Sequence, residues 1–215
     1  MLMVDNLTSA IALQKWHSLL EPFPVNSSLS YRVFFDLVTA YSSADRFYHN
    51  LVHIMQLLRI IDEMRFHTRN YAAVEFAAWF HDIIYNPKAT DNEEKSAEYA
   101  ANILNSLGIP ALTIETTVKI ILATKTHQTT DDDVDTQIFL DADLSILGAS
   151  PSDYRIYAQA IRQEYSWLPE LEYKLGRKQV LQKLLERQRI YQTQPMFEAL
   201  EIPARQNIQA EIELL

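Results

Sequence analysis

The residues with chemistry to offer come in three short segments. "YHNLVHI" (48–54) sets His49 and His53 four apart, in a chain of 215 residues with only six histidines. On a helix that spacing points both side chains the same way, with their Cβ atoms about 5 to 6 Å apart. "AAWFHDIIYNP" (77–87) embeds His81 and Asp82 in an apolar run, and "FLDADLSILG" (139–148) does the same with Asp141 and Asp143. Burying imidazoles and carboxylates is costly unless something satisfies them, and a divalent cation would. Taken singly, each has a structural reading. His81 alone can be a satisfied core histidine, and Asp141 with Asp143 can be a helix cap and a first-turn acid. Jointly, three segments deliver nitrogen or oxygen donors from hydrophobic surroundings, and that pattern points to a metal.

The chain has no cysteine, so thiolate zinc sites, disulfides and thiol nucleophiles are excluded. Any metal must be held by nitrogen and oxygen. Such a set admits Mn, Fe, Mg, Co, Ni or Zn, and leaves open positions for water and a phosphate oxygen on a six-coordinate ion. A bound ion would acidify its water and polarise a phosphoryl group, and Asp143 or Asp141 could orient the resulting hydroxide.

The elements that must position these residues read as helices throughout. Apolar residues recur at three and four residue intervals, as in Leu51, Met55, Leu58 and Ile61, or Leu112, Ile114, Val118 and Ile121. Three glycines and no NG or DG turns leave hairpins little to work with. The expected fold is all-α, a single compact helical bundle spanning residues 1–215 as one domain. Helices are predicted near 7–20, 29–42, 48–66, 70–85, 92–107, 110–125, 138–147, 151–165, 174–192 and 203–214. Gly108 and Gly148 fall where helix C-termini need a left-handed residue, and Ser150-Pro151 reads as an N-cap with proline at the first helical position. "HQTTDDDVDTQ" (127–137) is predicted to be a loop solvated by its acids.

Further residues carry weaker signals. Glu93 lies three after Thr90 in "TDNEEKSA", a capping-box spacing. His127 follows a helix, and is open between an exposed loop residue, a substrate contact and a further ligand. Arg46, Lys125 and Arg205 are candidate phosphate partners, since a metal alone does not neutralise a phosphate dianion.

The order His, His-Asp, Asp on successive helices resembles the HD-domain superfamily of metal-dependent phosphohydrolases. "YHNLVHI" and "DADLS" are similar to the corresponding motifs of cyclic nucleotide phosphodiesterases. Together "RFYHNLVHI", "WFHDIIYNP", "NEEKSA", "FLDADLSILG", "RQRIY" and "ARQNIQAEI" resemble a bacterial branch of predicted HD hydrolases over essentially the full length. The resemblance implies His53, His81, Asp82 and Asp143 as metal ligands, His49 as proton donor to the leaving group, and an acid at Glu93 near the metal. A chelating histidine pair is the rival reading of His49 and His53, although no glutamate base stands between them. After His81-Asp82 the chain has "IIYNPKATDNE" in place of the phosphodiesterases' histidine-containing segment, so neither a second metal nor cyclic-nucleotide specificity is carried over.

The expectation is therefore a phosphohydrolase using one divalent ion on a small phosphoester such as a nucleotide. A metal-binding sensor or scaffold without turnover is the alternative, and a di-iron oxygenase is disfavoured by its need for more ligands. A net charge of −9 without dense Lys/Arg runs disfavours stable nucleic-acid binding. No run of about 18 apolar residues predicts a membrane span, so a cytoplasmic location is expected. A homo-oligomer remains open.

Overall fold

A computed structural model describes residues 6–130 and 132–215. Among them ten α-helices and two short 3-10 turns make up the regular structure, and no strand occurs, as the helical period predicts. Contacts group the chain into two compact units, Met1–Phe139 and Leu140–Leu215.

The first unit contains α1 (Asn6–Leu20), α2 (Ser27–Tyr41), α3 (Leu51–Glu63), α4 (Tyr71–Phe80), α5 (Asn92–Ser106), α6 (Ala111–Ala123) and the start of α7 (Val134–Asp143). Its centre is α4, which packs on α3, α5 and α6 and is buried continuously from Ala73 to Phe80. Trp16 of α1 meets Phe76, Trp79 and Phe80 edge-on, with ring centroids 5.7 to 6.2 Å apart. Such pairs add about 0.5 to 1.5 kcal/mol each beyond the area they bury. On α6 the buried face is not the Leu112 side: Leu112 is exposed, while Thr113, Thr117, Ile120 and Ile121 are buried. Thr117 can face inward because its hydroxyl donates to the Thr113 or Ala73 carbonyl, at 2.8 and 3.2 Å.

Two helix ends differ from expectation in ways that matter for the chemistry. Asn50 caps α3, its side-chain oxygen accepting the N–H groups of Val52 (2.9 Å) and His53 (3.4 Å), so the helix begins at Leu51 and not at residue 48. At the other end, α4 stops at Phe80, and His81 to Ile84 leave in a turn where residues 70–85 were expected to be helical. The start of α4 is held by Asn70, whose side chain accepts from the Ala73 N–H, and by Asp135. The Asp135 carboxylate takes the Arg69 and Asn70 N–H groups at 2.7 and 2.9 Å. Asp135 and Asp133 thus act structurally, and α7 already begins at Val134, inside the predicted loop.

In the second unit the 3-10 turn Leu144–Gly148 packs on α8 (Pro151–Glu164) and α10 (Gln194–Leu214), and α10 also packs on α9 (Glu170–Leu185). Leu147, Tyr154, Leu181, Leu184, Tyr191 and Ile208 form its core. Ser150 caps α8 with Pro151 in the first turn, as predicted. Gly108 has φ +75, the left-handed conformation expected of it, whereas Gly148 is not in that conformation. Gly148 instead permits close approach, since a Cβ there would lie 2.7 Å from the Leu200 Cβ. Helix α10 starts at Gln194, nine residues before the predicted start, and carries Pro203 inside it. Helix α9 ends at Leu185, short of the predicted 192, because Arg205 takes the carbonyls of Leu185 (2.9 Å) and Arg187 (2.7 Å).

Candidate metal centre

His53 lies in the first turn of α3 and His81 at the C-cap of α4, each almost fully buried. His81 Nδ1 sits 3.2 Å from the carbonyl oxygen of Ala78. A carbonyl only accepts, so Nδ1 carries the proton of this bond, and Nε2 is the ring nitrogen that faces the neighbouring groups. That Nε2 faces His53 Nε2 at 3.4 Å and Asp82 Oδ2 at 3.0 Å. Asp143, the last residue of α7 and half-buried, completes a group in which one ligand atom each from His53, His81 and Asp143 lie within 4.8 Å of one another.

Each of these atoms can donate an electron pair to a cation. Two imidazoles with a carboxylate are ligands of the type that first-row divalent ions accept. The donor set fits one ion, with the Asp82 carboxylate beside it. The Ala78 carbonyl supplies the outer hydrogen bond that fixes the ring of a ligating histidine.

His49 does not share a helical face with His53. It stands just before the cap of α3, in a bend where the Asn50 N–H bonds to the Tyr48 carbonyl at 2.8 Å. Its ring nevertheless comes 6.0 Å from that of His53 and stacks on Tyr85 at 4.4 Å with a 31° tilt. Tyr48 packs between the two, 5.0 Å from His49 and 4.8 Å from His53. The proximity inferred from helical spacing is therefore achieved by a turn. Neither tyrosine was singled out from the sequence; each is marked there only by its position in the quoted segments.

Asp141 is placed differently from Asp143. It is fully buried and accepts from the Gln192 N–H (2.8 Å), the Thr193 N–H (2.7 Å) and the Thr193 hydroxyl (2.6 Å). Burial pushes its carboxyl up to about 6 against the opposing pull of these donors. Its carboxylate anchors the link into α10. Asp143 is the member of the pair that joins the histidines.

The remaining candidates are placed as follows. Arg46 donates to three backbone carbonyls, those of His49, Asp82 and Ile83. Lys125 pairs with Glu94 and donates to the Thr90 carbonyl at 2.9 Å. Glu93 lies in the first turn of α5, but the cap residue is Asp91 and its side chain makes no cap bond, so the Thr90–Glu93 capping box does not form. His127 lies four residues beyond the end of α6 with φ +48, its N–H bonded to the Ala123 carbonyl at 2.9 Å. Arg205 binds Glu201 and the end of α9.

No family model matches the chain, and no curated protein matches it. Among the described residues no helix is long and apolar enough to cross a membrane.

Proposed function

We propose that the protein is a metal-dependent hydrolase of a small phosphoester, of the HD-domain type that its motifs resemble. The observation that carries this reading is the approach of His53 and Asp82 to His81 Nε2 at contact distance, with one ligand atom each from His53, His81 and Asp143 within 4.8 Å of one another. A bound divalent ion supplies Lewis acidity and a nucleophilic water near neutral pH. His53, His81 and Asp143 hold it, and Asp82, beside His81, adds a carboxylate to ligate or to take a proton from that water. His49, close to His53 but outside the ligand group, donates a proton to the leaving oxygen. Stacking on Tyr85 restricts the His49 ring. The acidic net charge favours a small substrate over a polyanion, whose binding relies on many Lys and Arg contacts.

The test combines metal analysis with a screen of mononucleotides, cyclic nucleotides, sugar phosphates and short oligonucleotides, using Mn, Mg, Fe, Co, Ni or Zn. One ion per chain and metal-dependent release of phosphate or a monoester are expected, and the release is lost in Asp82→Ala. His49→Gln should keep the metal and lose about 10² to 10⁴ in turnover. Full metal occupancy with no turnover of any compound would transfer the assignment to a metal sensor. Preferential cleavage of oligonucleotides would overturn the substrate class.

A further inference from the structure

Arg46 precedes His49 by three residues and reaches two separate segments with one guanidinium. Nη1 donates to the carbonyls of His49 (3.2 Å) and Asp82 (2.6 Å), and Nη2 to that of Ile83 (3.0 Å). The group lies 5.0 Å from the ring centroid of Tyr41 and 5.4 Å from that of Tyr85, so it contacts two aromatic rings while its donors point at the backbone. The Asp82 and Ile83 carbonyls belong to the turn that follows α4. The His49 carbonyl belongs to the bend that leads into α3. One planar fork therefore joins the segment bearing the proposed proton donor to the turn bearing His81 and Asp82, and it carries the same Tyr85 on which His49 stacks.

We infer that Arg46 is a positioning residue for the metal centre and its proton donor, and does not bind the substrate's anionic group. The inference builds on the hydrolase reading, but its structural half concerns metal geometry and is separately measurable. A guanidinium aims donors in fixed directions, whereas a lysine ammonium is a point charge on a flexible stem. An anion-binding role would be largely met by lysine; a three-carbonyl clamp would not.

The experiment compares wild type, Arg46→Lys and Arg46→Met by Co²⁺ titration, following visible absorption, and by steady-state hydrolysis of p-nitrophenyl phosphate with saturating metal. Both variants are expected to bind Co²⁺ about 10- to 100-fold more weakly with an altered spectrum, the scale of losing a ligand's outer support. Lysine should rescue neither property, and kcat should fall with KM little changed. Tyr85→Leu keeps the charge and removes one ring, so it covers the case in which Arg46→Met does not fold. It should shift Co²⁺ affinity the same way by a few-fold. An unchanged Co²⁺ spectrum and affinity in Arg46→Lys and Tyr85→Leu, or a rise in KM alone that lysine repairs, would overturn the inference. If wild type takes up Co²⁺ and hydrolyses neither p-nitrophenyl phosphate nor any compound of the screen, the hydrolase reading fails while the titration still decides the role of Arg46.

Discussion

Two places in this molecule bury polar groups in apolar helices, and they do so in opposite ways. At Asp141 the carboxylate is ringed by donors: two backbone N–H groups and a hydroxyl, all within 2.8 Å. At the end of α4, His81 Nε2 faces the nitrogen of His53 and the oxygen of Asp82. The first arrangement supplies a carboxylate with donors from the protein itself. The second gathers imidazole nitrogens and carboxylate oxygens that could hold an ion. Burial and residue type alone therefore do not separate the two; Asp141 and Asp143 stand two residues apart, and of the pair it is Asp143 that belongs to the histidine group.

The largest effect expected from breaking the comparison is at Asp141. Asp141→Ala leaves three buried donors without an acceptor, and should cost about 3 kcal/mol or more in urea unfolding. The fraction that folds should still take up one metal ion. Stability equal to wild type would show that the donors find other partners. His81→Ala tests the other side. Metal should raise the melting temperature of wild type, because an ion that binds only the folded state stabilises it by mass action. In the variant this shift should vanish, with affinity down by more than about 100-fold, beyond the usual loss from an outer partner alone. A metal-dependent shift that persists in His81→Ala would remove this histidine from the ligand group.

Glu75 sharpens the comparison with a third case. It is the one ionisable residue in the buried stretch of α4, and it lines a cavity of about 390 Å³ with Lys15, Asp62, Arg65 and Tyr71. Burial pushes its carboxyl up from 4.5 to about 7, and a hydrogen bond from Tyr71 only partly offsets this. The folded state therefore holds this proton more tightly than the unfolded chain. Stability contributed by the neutral acid is present below about pH 4.5 and declines as pH rises through about 7, a loss of about 3 kcal/mol. Glu75→Gln should be more stable than wild type at pH 8 and should lose that advantage at pH 4. A parallel pH profile for the two proteins would show that Glu75 is ionised without penalty.

Much of this was legible in the sequence. The ten predicted helices correspond to ten observed ones, because the three-and-four periodicity reports burial directly and Ser150-Pro151 and Gly108 obey local rules. The three segments that bring donors together were also visible, since imidazole and carboxylate in apolar runs violate the pattern around them. What the sequence withheld depends on partners distant along the chain. Asp141 finds its donors at residues 192 and 193, and Asp135 caps a helix some 65 residues earlier. No local spacing encodes either. Arg46 presented only as a cation, and its commitment to carbonyls 36 and 37 residues away became evident with the fold. Gly148 was read for its backbone freedom, yet its lack of a side chain matters because Leu200 lies against it.

The placement of the three tryptophans gives the chain its own optical labels. Trp16 and Trp79 are wholly enclosed among aromatic rings, while Trp167, in the C-terminal unit, is 43% exposed. Excitation at the indole band should give a blue-shifted component that iodide cannot reach and a red-shifted one that it extinguishes. The enclosed component then follows melting of residues 6–139, and the quenchable one follows the C-terminal unit. Trp79 stands two residues before His81. Cobalt captured there should dim the enclosed emission by energy transfer, so metal uptake can be timed without any attached dye.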